Sequence, residues 1–147
     1  MQTPDDIVRS ASVHWEGDIA KGKGTITAES GFVTAGYSFG TRFSKDPGTN
    51  PEELLAASHA ACFTMALSLA LTRAGHPPEA VDTTARVHLR RESQAFDVPS
   101  IELSTAVKAA GIDEEEFQRL AETAKENCPI SRALKAVEIK LTASLNP

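Results

Sequence analysis

The sequence predicts an α+β fold, with β-sheets packed on two main helices in the order βββ-α-ββ-α-β. Three observations carry this. Short β-type runs fill the first third of the 147 residues, two segments begin with strong helix-start signals, and period-two alternation marks the stretches between and after them. The length suits a single domain spanning 1–147.

The runs "SVHWEG" and "GTITAES" read as strands joined by the turn "AKGKG", and "GYSFGTRF", with Tyr37, Phe39 and Phe43, reads as a third. "SKDPGTNPEE" is a loop that closes on a helix start, with Asn50 as cap, Pro51 at the first helical position and Glu53 completing a capping box. That helix should run to about Arg73 and stop at Gly75, because "HPP" cannot continue it. Two alternating strands follow. In "DTTARVHLR", Thr83, Ala85, Val87 and Leu89 share one face, and in "SIELSTAVK", Ile101, Leu103, Thr105 and Val107 do. "GIDEEEFQRLAETAKEN" is the second helix, with Asp113 as cap, Glu116 closing the box, and an apolar stripe of Phe117, Leu120, Ala121 and Ala124 that Cys128 extends. A helical turn, "PISRAL", precedes the last strand, "AVEIKLTASL", whose Val137, Ile139, Leu141, Ala143 and Leu145 alternate inward.

Composition narrows the function. A net charge of −5 argues against nucleic acid or an anionic membrane surface as partner. Residues 1–20 show no signal-peptide pattern, and Ser58, His59, Thr64 and Ser68 interrupt the most apolar stretch, so a cytoplasmic protein without a membrane span is expected. Two cysteines do not make a disulfide scaffold. The basic strand face of Arg86, His88, Arg90 and Arg91 reads as solvated or partner-facing. "GDIAKGKG" lacks the ending of a phosphate loop, and His59-x-x-Cys62 has no second pair to complete a zinc site.

Cys62 poses the chemical question. Helical geometry puts it within about a 60–100° sector of Ser58 and His59, among apolar neighbours, and such a thiol is ordinarily inert core. A reactive one needs its pKa lowered. The dipole of its own helix fades beyond the first turn and Cys62 lies about three turns in, so a cation from elsewhere is required, ideally an arginine. Glu52 suits the helix dipole, and Glu53 leaves it free of the capping role. Ten residues along one helix separate Glu52 from Cys62 by about 15 Å. If both serve one site, they meet across a two-fold axis between antiparallel copies of the helix.

The stretches "GTRFSKDPGTNPEELLAASHAACFTMALSLAL" and "CPISRAL" resemble the OsmC/Ohr family of thiol-dependent hydroperoxide peroxidases. "WEGDIAKGKGTITAESG" and "GIDEEEFQRLAETAKENCPISRALKA" are similar to its OsmC branch, and the likeness extends from Val13 to Leu145. The resemblance implies an OsmC-like fold and an intertwined homodimer with sites at the subunit interface. It implies Cys62 as peroxidatic cysteine and Cys128 as resolving cysteine. It also implies Arg42 as the arginine that stabilises the thiolate and Glu52 as the acid that orients it.

On this resemblance the thiolate attacks the peroxide, becomes a sulfenic acid, condenses with Cys128 to an intramolecular disulfide, and is reduced by an external dithiol. No metal, haem or flavin is implied. The expected role is defence against oxidative or osmotic stress. Apolar surroundings, including Leu54, Phe43, Phe63 and Met65, would favour organic hydroperoxides over hydrogen peroxide. The alternatives are a thiol redox sensor, which forms the same disulfide but turns over slowly, and a non-catalytic ligand-binding protein.

Overall fold

The computed structural model describes residues 6–146 and divides into two compact units, Met1–Pro51 and Glu52–Pro147.

The first unit is an antiparallel meander. Strands β1 (Ala11–Glu16), β2 (Lys23–Ala28) and β3 (Thr34–Tyr37) pair in that order, with Val13 opposite Ile26 and Ile26 opposite Ala35. The expected third strand stops at Tyr37. Its second half is instead a short helix, α1 (Phe39–Phe43). The reason is local. Ser38 Oγ accepts the Thr41 N–H at 3.3 Å, and Thr41 Oγ1 accepts the Ser38 N–H at 2.8 Å. This reciprocal box satisfies the amides that a strand would have paired along its ladder. Aromatic content alone pointed to a strand, and the Ser-x-x-Thr spacing decides otherwise.

The second unit opens with α2 (Pro51–Arg73), which ends as the sequence requires. Gly75 has φ +86°, the His76 N–H donates to Leu71 O at 2.9 Å, and the Gly75 N–H donates to Thr72 O at 3.0 Å. This is a Schellman closure around a left-handed glycine. By length and apolarity α2 could cross a bilayer, but His59, Phe63, Leu67 and Leu71 are buried in the protein core.

The α2 stripe packs with a three-stranded sheet, β4 (Ala80–Val87), β7 (Ser100–Lys108) and β8 (Glu138–Asn146), in the order β4-β7-β8. The β4–β7 pair is antiparallel, and the β7–β8 pair is parallel. Ile101, Leu103, Thr105 and Val107 point inward from β7, as the alternation predicts. The inward threonines are bonded: Thr64 Oγ1 donates to Thr83 Oγ1 at 2.8 Å, and Thr83 Oγ1 lies 2.9 Å from Thr105 Oγ1. A small hairpin of β5 (Arg90–Glu92) and β6 (Ala95–Asp97) interrupts the β4–β7 connection and had no clear sequence signal.

Helix α3 (Glu114–Asn127) buries Phe117, Leu120, Ala121 and Ala124, the expected stripe. Asp113 accepts the Glu116 N–H at 2.8 Å, so half of the expected capping box forms, while the Glu116 carboxylate lies 3.8 Å from Arg119. Cys128 ends α3 and caps α4 (Pro129–Ala133). The basic strand face is balanced by an acid across the ladder. Glu102 pairs in register with Arg86 and accepts from His88 Nε2 at 2.6 Å. The His88 hydrogen bond, aided by Arg86, holds the Glu102 carboxyl below its ordinary range.

Gly75→Ala isolates the value of the left-handed cap, because an added Cβ would meet no atom within 4 Å. The expected loss is about 1 kcal/mol, read as a lower urea midpoint at unchanged m-value.

Candidate active site

The second unit brings Cys62 and Cys128 together across 66 residues of sequence. Both are free thiols, Cys62 half-buried and Cys128 fully buried. Cys62 sits on α2 one position before Phe63 of the buried stripe. Cys128 occupies the junction where α3 ends and α4 begins, with its N–H bonded to Ala124 O at 2.9 Å. Proline at 129 makes that junction a sharp one, because it cannot donate to the preceding helix and fits the first turn of a new one.

Four influences meet at the Cys62 sulfur. Burial raises its pKa most, the hydrogen bond to the Cys128 thiol raises it further, the Ile130 backbone N–H opposes both by donating to the sulfur, and the charge of Cys128, the smallest of the four, also raises it. The net shift is upward. Within this unit Cys62 is a protonated thiol poised beside a second thiol, so a nucleophilic role requires added positive charge.

Two further residues meet beside the thiols. His59 is fully buried, and its Nε2 lies 2.7 Å from Ser131 Oγ. Burial lowers the His59 pKa, so the ring is neutral at pH 7. Its Nδ1 has no hydrogen-bond partner among the described residues. From the sequence His59 is expected as half of a weak metal pair or as a nearby cation inferior to an arginine, and neither Ser131 nor the Ile130 amide is anticipated. The available signal was the spacing: His59 stands three residues before Cys62, and Ser131 three after Cys128.

The remaining predicted site residues are on other segments of the chain. Arg42 is in the last turn of α1, in the first unit, with its Cζ 5.4 Å from the Phe43 ring centroid. It lines a cleft of about 400 Å³ walled by Trp15, Ile19, Tyr37, Phe39 and Phe43. Phe39 and Phe43 are in contact there, with centroids 4.7 Å apart. Glu52 is in the first turn of α2, roughly 15 Å along the helix axis from Cys62. Of the apolar residues expected around a substrate, Phe63 is entirely in the core, whereas Phe43 and Met65 are exposed.

The family model described as OsmC-like protein matches residues 44–142. The chain is 48% identical to Peroxiredoxin OsmC of Escherichia coli over 140 residues, covering 95% of this chain and 97% of that protein. It superposes with a TM-score of 0.75 on an organic hydroperoxide resistance protein from Elizabethkingia anophelis, at 29% identity and covering 95% of this chain and 99% of the other. The OhrB organic hydroperoxide resistance protein of Bacillus subtilis gives a TM-score of 0.67 at 27% identity, covering 93% and 98%.

Cys128→Ala removes the thiol hydrogen bond and the charge that raise the Cys62 pKa. The pH midpoint of Cys62 alkylation by iodoacetamide should therefore move down, and alkylation at pH 7 should accelerate. Mass spectrometry of the quenched reaction across pH 6–10 measures the shift.

Proposed function

The chain belongs to the OsmC-like protein family and is by that kinship a cysteine-based peroxidase, and we propose that it reduces organic hydroperoxides through a Cys62 sulfenic acid and a Cys62–Cys128 disulfide. The observation that carries this reading is the packing of Cys62 against the buried cluster that contains Cys128, two free thiols distant in sequence. A sulfenic acid formed on Cys62 has its resolving thiol already in contact.

The Cys62 thiolate attacks the distal peroxide oxygen. The S–O bond forms as the O–O bond breaks, and the leaving alkoxide takes up a proton to become the alcohol. The Cys128 sulfur then attacks the sulfenyl sulfur, and the S–O bond breaks to release water. An external dithiol reverses the disulfide by two exchanges and leaves as its own disulfide.

The raised Cys62 pKa makes the need for a cation explicit, and we assign that role to Arg42. Its permanent charge would stabilise the thiolate and then the charge growing on the departing oxygen. Glu52 would hold the guanidinium through a paired hydrogen bond. The aromatic cleft beside Arg42 would receive the organic group of the peroxide, which favours alkyl and aryl hydroperoxides over hydrogen peroxide.

The working unit is proposed to be a homodimer, with residues 1–147 acting as one domain. Beyond its buried stripe, α2 leaves Met65 75% and Leu69 50% exposed, an apolar face suited to a second copy of the chain. A dimer also resolves the separation of Glu52 from Cys62, since Glu52 of one copy could serve Cys62 of the other.

Steady-state consumption of cumene hydroperoxide with a recycled dithiol tests the activity. Cys62→Ser should fall to the uncatalysed rate, and hydrogen peroxide should turn over more slowly than cumene hydroperoxide in the parent. One disulfide per chain without further turnover would instead identify a redox sensor. Arg42→Ala should raise the pH midpoint of Cys62 alkylation and lower kcat/KM by about 10²-fold or more, the usual loss of a preorganised charge. An unchanged alkylation profile would remove Arg42 from this role.

A further inference from the structure

Two contacts run side by side between α2 and the α4 turn. Cys62 meets Cys128, and His59 meets Ser131 with Nε2 2.7 Å from Oγ. On each element the two partners are three residues apart, and the pairings run in opposite directions along the chain. Three helical residues advance about 4.5 Å. The contacts are therefore neighbouring rungs of one ladder, and the position of the polar rung constrains the register of the sulfur rung.

The polar rung is well suited to that constraint. His59 is fully buried and Ser131 nearly so, so neither can exchange its partner for bulk water without moving. Separating them would strand a buried ring nitrogen and a buried hydroxyl, each costing more than the bond gains. Of the two neutral tautomers, the one with Nε2–H donating to Ser131 leaves Nδ1 a bare lone pair. The other would leave a buried N–H unpaired, which proteins avoid more strictly. Ser131 also lies inside the single turn whose N–H at Ile130 reaches the Cys62 sulfur. That turn is five residues long and is closed internally by Arg132 N–H to Cys128 O and Leu134 N–H to Ile130 O, both 3.0 Å. A bond anchoring Ser131 thus anchors the whole turn, including its cap Cys128.

We propose that His59 and Ser131 are positioning residues that hold Cys128 in register for disulfide formation with Cys62. The proposal rests on Cys62 being the peroxidatic and Cys128 the resolving cysteine. Neither His59 nor Ser131 touches the reacting oxygen. Their effect falls on the second step, in which the Cys128 sulfur displaces hydroxide from the Cys62 sulfenic acid along the S–O axis and its thiol proton leaves with the hydroxide as water. Such a displacement is sensitive to misplacement of about 1 Å.

The test is rapid mixing of full-length protein with one equivalent of cumene hydroperoxide, with quenched samples analysed for sulfenic acid (as its dimedone adduct) and for disulfide. Ser131→Ala should slow disulfide closure by about tenfold, as expected of a geometric loss, while sulfenic acid formation changes by less than about threefold. The dimedone adduct should rise accordingly. Ser131→Thr and Ser131→Val form a matched pair of nearly equal shape, differing in the hydroxyl. Threonine should close the disulfide within about twofold of the parent, and valine should behave like alanine, a comparison that holds even if the alanine variant folds poorly. Equal closure rates in the threonine and valine variants, or a folded alanine variant that closes as fast as the parent, would overturn the proposal. If the parent never forms the Cys62 sulfenic acid, the peroxidase reading fails and takes this proposal with it. Normal closure in both parent and alanine variant defeats the positioning role alone.

Discussion

The buried face of α2 is the constraint on which the second unit depends. His59, Phe63, Leu67 and Leu71 recur every fourth residue, and all four are fully buried. Three of them supply apolar area to the core shared with α3 and the β4-β7-β8 sheet. The fourth, His59, carries the same stripe to the turn after α3 and engages it with a hydrogen bond. One line of side chains therefore seats the helix and holds the segment that carries Cys128. Because the line is narrow, the rest of the helix keeps apolar residues in the open, and the proposed dimer draws on that surplus.

Proximity and activation are separate problems in this chain, and they have separate solutions. Proximity is solved inside the second unit, where Cys128 lies in a dry environment against Cys62. The dryness that favours a rapid, specific encounter between sulfurs also raises the Cys62 pKa. The Ile130 amide offsets part of that cost, but a single N–H cannot outweigh burial together with a neighbouring thiol. Activation is therefore assigned to a charge from outside the unit. This division suits the proposed cycle, in which a thiolate is needed to attack peroxide and a second sulfur in contact is needed immediately afterwards.

Legibility in the sequence tracked the range of the interaction responsible. The α2 terminus at Gly75, the α3 cap at Asp113, and the alternating faces of β4, β7 and β8 were all readable, because each is decided within a few residues by backbone conformation or side-chain period. The same locality exposes the reading of "GYSFGTRF" as a strand. The Ser38–Thr41 box is present in the letters, and its spacing outweighs the aromatic content that favours a strand. The β5–β6 hairpin was missed because its strands are three residues each and exposed on both faces, so no apolar alternation marks them.

By itself the sequence determined which faces are apolar and which residues are candidates for chemistry. It contained two thiols, the acid at the head of the apolar helix, and the requirement that any activation of Cys62 come from beyond its own helix. Only the tertiary structure decided what those thiols meet. The α3–α4 junction turns Cys128 onto Cys62, the Ile130 amide reaches the sulfur, and His59 pairs with Ser131 across 72 residues. No local pattern encodes such contacts. They arise where two independently formed helical segments are driven together by burial of apolar area, and their registers then bring particular side chains face to face.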